Sequence, residues 1–255
     1  MLATKVAERL GYEAVSREDL VAEATGFGVS EEELREALLK PPGLWSRFSR
    51  QRGRYLAFVQ ATLCKRVQKG GVVYHGNAGH LLLPGVAHVL CVRLIAPVAF
   101  RVRNLRERSG MDKEEALAYI ETVDREREQW TRFLYGVDWL SPNLYDLCVN
   151  LRTMGLQDAV ELVVRTAQSA PFQPTEASRE AMQDLFLASR VRAALAADTR
   201  TAGAEMEVRA SGSTVFLRGR LRPASLVDPV LEVVGGVEGV AQVDRSNLAA
   251  PDYTV

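Results

Sequence analysis

Arg101 and Arg108 stand seven residues apart, two turns of a helix, and Asp124 and Arg127 stand three apart, so each pair shares a helical face. Arginine at such spacing suits phosphate chemistry, because its planar fork holds two oxygens at once and never deprotonates. Phosphoryl transfer asks a protein mainly for positioning and for cations around the phosphate oxygens. Arg101, Arg108 and Arg127 are therefore candidate phosphate-binding groups, with Asp124 the helical neighbour of Arg127. Glu107, Glu121, Glu126 and Glu128 are interleaved with them, so spacing alone equally describes two solvated helices laced by salt bridges. A second candidate is the GNAG turn, with Gly76, Asn77 and Gly79, directly after the apolar run VVYH at 72–75. Glycines let a backbone approach a ligand closely, and open α/β sheets bind ligands at strand ends. His75, His80 and His88 bracket this turn, but their spacing does not suit helical metal ligation and no carboxylate joins them, so no metal site is expected. The stretch RFSRQRGR (47–54) is basic, with no acidic residue from there through Gly70, and reads either as a solvated face or as an anion-binding element.

The elements that must carry these groups follow from periodicity. Leu2, Val6 and Leu10 fall on one face of a helix over about 2–10, with Gly11 at its C-terminal cap. A short strand at 12–15 precedes a helix opened by a capping box of Ser16 and Asp19, and Ser30 with Glu33 repeats the device before the stop at Pro41-Pro42. A helix over 54–69 ends at Gly70-Gly71. VVYH (72–75) and VLCVRLI (89–95) read as strands buried on both faces of a parallel sheet. Helices follow at about 97–109 and 112–134, the second capped by Asp112 with Glu115. YDLCV (145–149) is a further strand and 155–168 a further helix. Strands alternating with helices predict one four-stranded, mainly parallel, doubly wound α/β sheet.

Composition shifts at SAPFQPTEAS (169–178), which reads as a linker between a first domain (1–168) and a second (179–255). The second has the order α-β-β-α-β, with a turn at Ser211-Gly212 and one wet sheet face. The balance of 32 basic against 32 acidic residues excludes a global field that would draw the chain onto nucleic acid or an anionic membrane. Cys64, Cys91 and Cys148 show no metal spacing and read as buried, reduced thiols. The amphipathic N-terminus lacks a signal-peptide core, and no apolar run approaches the ~20 residues of a membrane span. A cytoplasmic protein is the expectation.

Four stretches, LATKVAERLGY (2–12), VVYHGNAGHLL (72–82), APVAFRVRNLRERSGMDKEEALAYIETVDREREQW (96–130) and YDLCVNLRTMGLQDAVELV (145–163), resemble the cytidylate-kinase-like family of P-loop nucleoside-monophosphate kinases. The resemblance implies phosphoryl transfer from ATP, with Mg2+, to a pyrimidine nucleoside monophosphate such as CMP or dCMP. It places Asp124 on the base or on a lid arginine, Arg127 on phosphate, and the 47–54 stretch near the monophosphate rather than on nucleic acid. Asn77 stands where that family commonly has arginine. Residues 185–248 resemble the BON domain, a binding module, through Gly219 and the run GVEGV (236–240).

No G-x-x-x-x-G-K-[ST] sequence occurs in the 255 residues, so no backbone nest for donor phosphates is legible. The expectation is a chain that starts after the family's first strand and glycine-rich loop. It is inactive as given, and ATP and Mg2+ enter only if upstream residues supply that loop. The alternative is a non-catalytic nucleotide-binding or scaffold protein that uses its BON-like part for assembly or sensing.

Overall fold

The computed structural model describes residues 2–27, 30, 49–76 and 79–249. The Ser30–Glu33 cap and the Pro41-Pro42 stop reach into residues outside that set. The chain packs into two compact units that do not follow chain order. One holds the described residues of 1–15, 71–81 and 87–173, and the other those of 16–70, 82–86 and 174–255. The stretch 169–178 carries a 3-10 turn, Ala170–Phe172, and the cap Thr175 of the next helix, and the cut between units falls after Gln173.

In the first unit, helix α1 (Leu2–Leu10) buries Val6 and stops at Gly11, whose φ of 68° is open to glycine at no steric cost. Strand β1 (Glu13–Ser16) pairs with β2 (Val72–His75), and β3 (Val92–Ile95) runs parallel to β4 (Leu147–Asn150) in the register Val92↔Leu147 to Ile95↔Asn150. The single four-stranded sheet expected from the apolar runs is thus two separate pairs. They share one apolar cluster instead of a hydrogen-bond ladder: Val73 of β2 and Val92 of β3 both pack against the cluster that contains Val6, Val160 and Val163. Helix α6 (Leu156–Ala167), opposite α1, supplies most of that cluster. Among the described residues β3 has one hydrogen-bonded neighbour, and Leu94 and Ile95 remain 42% and 37% exposed, so the strand is not buried on both faces. Cys91 precedes the strand, and its N–H donates to the Asp146 carboxylate at 2.8 Å.

Between β3 and β4 stands a helical hairpin, α4 (Val98–Ser109) and α5 (Lys113–Tyr135). Asp112 caps α5, accepting from Glu114 N and Glu115 N, while Glu115 accepts the Asp112 N–H. Val102, Ala116 and Ile120 close the hairpin's small core. Cys148 points away from the core and is exposed, and only Cys64 of the three cysteines is fully buried, contrary to the expectation for all three.

The second unit gathers α2 (Arg17–Ala24), α3 (Ser49–Val67), α7 (Glu176–Ala197) and the run β5 (Met206–Ser211), β6 (Thr214–Arg220), α8 (Val227–Gly235) and β7 (Gln242–Ala249). Its sheet order is β5-β6-β7, antiparallel then parallel, over a core of Val191, Leu217, Val230 and Val234. Helix α7 followed by these elements gives the α-β-β-α-β order. Helix α3 lies along α7. Arg54 Nε donates to Ala196 O at 3.1 Å, while Arg192 donates to Gln60 Oε1 and, at 2.9 Å, to Val208 O. Among the described residues no helix is long and apolar enough to cross a membrane.

Candidate functional site

Helices α4 and α5 leave β3 and return to β4, and the first turn of α4 follows closely on the carboxyl end of β3. Arg101 sits in the first turn of α4. It grips Asp124 of α5 with both terminal nitrogens, Nη1 to Oδ2 at 2.5 Å and Nη2 to Oδ1 at 2.8 Å. This bidentate pair joins the two helices at about one-third side-chain exposure, where geometry of this kind is the strongest an exposed pair attains. Arg101's hydrogen bonds hold the Asp124 carboxyl below its ordinary pKa, more than burial raises it, with the charge of Arg127 adding to the effect. Arg127, one turn along α5, approaches Asp124 Oδ1 to 3.9 Å.

The Arg127 guanidinium also lies 5.2 Å from the ring centre of Trp139, in the loop after α5. Arg93 approaches the same indole at 5.0 Å and the Tyr145 ring at 5.6 Å, and donates through Nη1 to Leu140 O at 2.7 Å. Tyr145 Oη donates to Trp139 O at 2.9 Å. The His80 ring, 5.0 Å from Tyr145, ties in the segment after β2. Burial lowers the His80 pKa, and its Nε2 is shut from solvent without a hydrogen-bond partner, as is Nε of Arg93. A continuous chain of cationic and aromatic contacts therefore runs from Arg101 through Asp124, Arg127, Trp139, Arg93 and Tyr145 to His80.

Arg101, Asp124 and Arg127 thus come together, but Arg108 does not join them. It is exposed near the far end of α4, about 10 Å further along the axis at about 1.5 Å per residue. Gly76 is exposed at the end of β2, and Asn77 lies outside the described residues. Gly79 is buried, and a Cβ there would stand 2.0 Å from the Tyr74 ring, so its glycine serves close packing. Among the described residues no group of three His, Cys, Asp or Glu side chains is placed to hold a metal ion. Arg93, Trp139 and Tyr145 escaped the reading from sequence. The available signal was Arg93 itself, a lone charge in the apolar run VLCVRLI.

The sequence profile of the Cytidylate kinase-like family matches residues 1–153. A cytidylate kinase of Ignicoccus hospitalis is 34% identical over 64% of this chain and 89% of its own length. A cytidylate kinase of Desulfurococcus amylolyticus is 27% identical over 63% of this chain and 82% of its own. The crystal structure of an uncharacterized protein from Eubacterium ventriosum superposes with a TM-score of 0.52 at 16% identity, covering 65% of this chain and 89% of that one, a likeness of fold alone.

Proposed function

This chain belongs to the cytidylate kinase-like family, and from that premise we propose that the surface on α4 and α5 binds a pyrimidine nucleoside monophosphate, CMP or dCMP, as a phosphoryl acceptor. The observation that carries the reading is the joining of Arg101 and Arg127 on one carboxylate. Arg127 keeps a guanidinium that Asp124 approaches only to 3.9 Å, and Arg93 reaches the same indole as Arg127, so cationic donors are on hand for phosphate oxygens. In this reading Arg127 binds the phosphate. Asp124 fixes Arg101 so that its outer edge stays directed at the same group, and positioning of this kind is most of what the reaction asks of a protein.

ATP with Mg2+ is the phosphoryl donor that the family implies. The described residues bring no metal-binding trio together, and no step is routed through the ion. The 255 residues contain no G-x-x-x-x-G-K-[ST] cradle, so the acceptor side is the part this chain supplies on its own. Incubated with ATP, Mg2+ and CMP or dCMP, it is expected to show no appreciable turnover in a coupled assay. Robust turnover would mean that another backbone nest holds the donor phosphates. The second reading, a nucleotide-binding protein without catalysis, is favoured by the same sequence feature. In both readings the α-β-β-α-β part, which is BON-like, serves as a module for a small ligand or partner, in a cytoplasmic protein.

Equilibrium dialysis with labelled CMP tests the acceptor site. Arg127→Ala is expected to weaken binding roughly tenfold or more, the scale of a charge-assisted hydrogen bond. An affinity equal to that of the unaltered chain would remove Arg127 from the site.

A further inference from the structure

Two guanidinium groups share one indole, Arg93 at 5.0 Å and Arg127 at 5.2 Å from the centre of Trp139. Like charges gathered on one ring repel, and the ring's negative face offsets that repulsion while setting where each cation sits. Asp124 holds Arg101 more closely than it holds Arg127. Both of its oxygens accept from Arg101, and Arg127 stands 3.9 Å away, beyond hydrogen-bond distance. The loop that carries the indole, in contrast, is held through its backbone. Tyr145 Oη donates to Trp139 O at 2.9 Å, Arg93 donates to the next carbonyl, Leu140 O, at 2.7 Å, and the Asp138 carboxylate accepts from Leu140 N at 2.9 Å. Arg93 of the strand thus holds the loop that carries the ring, and the ring lies against both Arg93 and Arg127.

We infer that Trp139 is a positioning residue, whose indole, on a loop held by Arg93 and Tyr145, sets the Arg127 guanidinium in the orientation that receives a phosphate group. The identity of that phosphate as part of CMP rests on the function proposed above, whereas the positioning of Arg127 does not.

Side-chain NMR of arginine-labelled protein reads the positioning without ligand. In the unaltered chain the Arg127 Nε–H signal is expected to be displaced by the ring current and ordered. In Trp139→Ala it should lose both properties, in Trp139→Phe it should keep part of them, and the Arg101 signal should stay in place throughout. An Arg127 signal identical in all three proteins overturns the inference. CMP titration then links position to binding. Replacing tryptophan by fluorinated analogues, which keep the ring's shape but weaken its negative face, is expected to lower CMP affinity several-fold without shifting the melting temperature. The effect should vanish in Trp139→Phe, which assigns it to this ring. Insensitivity to fluorination in the unaltered chain would also overturn the inference, since a purely structural tryptophan predicts it. Should Trp139→Ala not fold, Trp139→Phe and the fluorinated proteins carry both arms. An unaltered chain that fails to bind CMP, with Arg127 order still dependent on Trp139, would sink the nucleotide reading and uphold the positioning.

Discussion

Asp124 is the residue on which the site turns, because it accepts two hydrogen bonds from Arg101 and faces Arg127. Its carboxyl titrates below the ordinary 3.8, chiefly through the Arg101 hydrogen bonds. A depressed carboxylate stabilises the fold above its unfolded value and loses that contribution as pH falls through the folded value. Melting temperature followed from neutral pH down to about pH 2 should therefore fall less steeply in Asp124→Asn than in the unaltered chain, with the two differing most near neutrality. The effect is modest because the pair is about one-third exposed and screened. Coincident curves would show that the pair joins the helices without stabilising them. At this scale, sequence spacing was informative where partners lie on adjacent helices, as for Arg101, Asp124 and Arg127. It failed for Arg108, because a shared helical face says nothing about how far along that face the partner helix remains in reach. It was silent on Trp139 and Tyr145, whose contacts depend on how a loop closes back over β3.

Among the elements, local signals translated most directly. The periodicity of Leu2, Val6 and Leu10 with Gly11 marks α1, and the Asp112–Glu115 capping box marks the start of α5, because both are decided within a few residues. Strand pairing is decided by distant residues. VVYH and VLCVRLI look alike in sequence, yet each pairs with a different partner, and no ladder links β2 to β3. The segment between β2 and β3 illustrates the same limit. Gly79 follows a turn that invites a ligand-binding reading, while its position against Tyr74 gives it a packing role. Gly79→Ala forces the Tyr74 ring to move, an overpacking cost of about 1–3 kcal/mol. Because the neighbouring His80 touches Tyr145, that displacement should also weaken CMP binding. Chemical denaturation and dialysis on this variant check both effects, and wild-type values in each would separate the turn from the site.

At the scale of the whole molecule, the order of elements along the chain was readable but their grouping was not. Helix α3 falls inside the 1–153 family match, yet it packs along α7 in the unit that contains the α-β-β-α-β run. Polar contacts such as Arg192 to Gln60 carry no periodicity that a sequence could display. What the surface on α4 and α5 should recognise is a phosphate on a pyrimidine nucleoside. In the proposed reading its guanidinium groups address the phosphate, so charge should dominate the affinity. Calorimetric titration of the 255-residue chain with CMP and, separately, with cytidine tests this most directly. The account predicts saturable binding of CMP, with cytidine at least about tenfold weaker and the gap narrowing as salt is raised. Equal affinities for the two, or no heat from CMP at millimolar concentration, would contradict it.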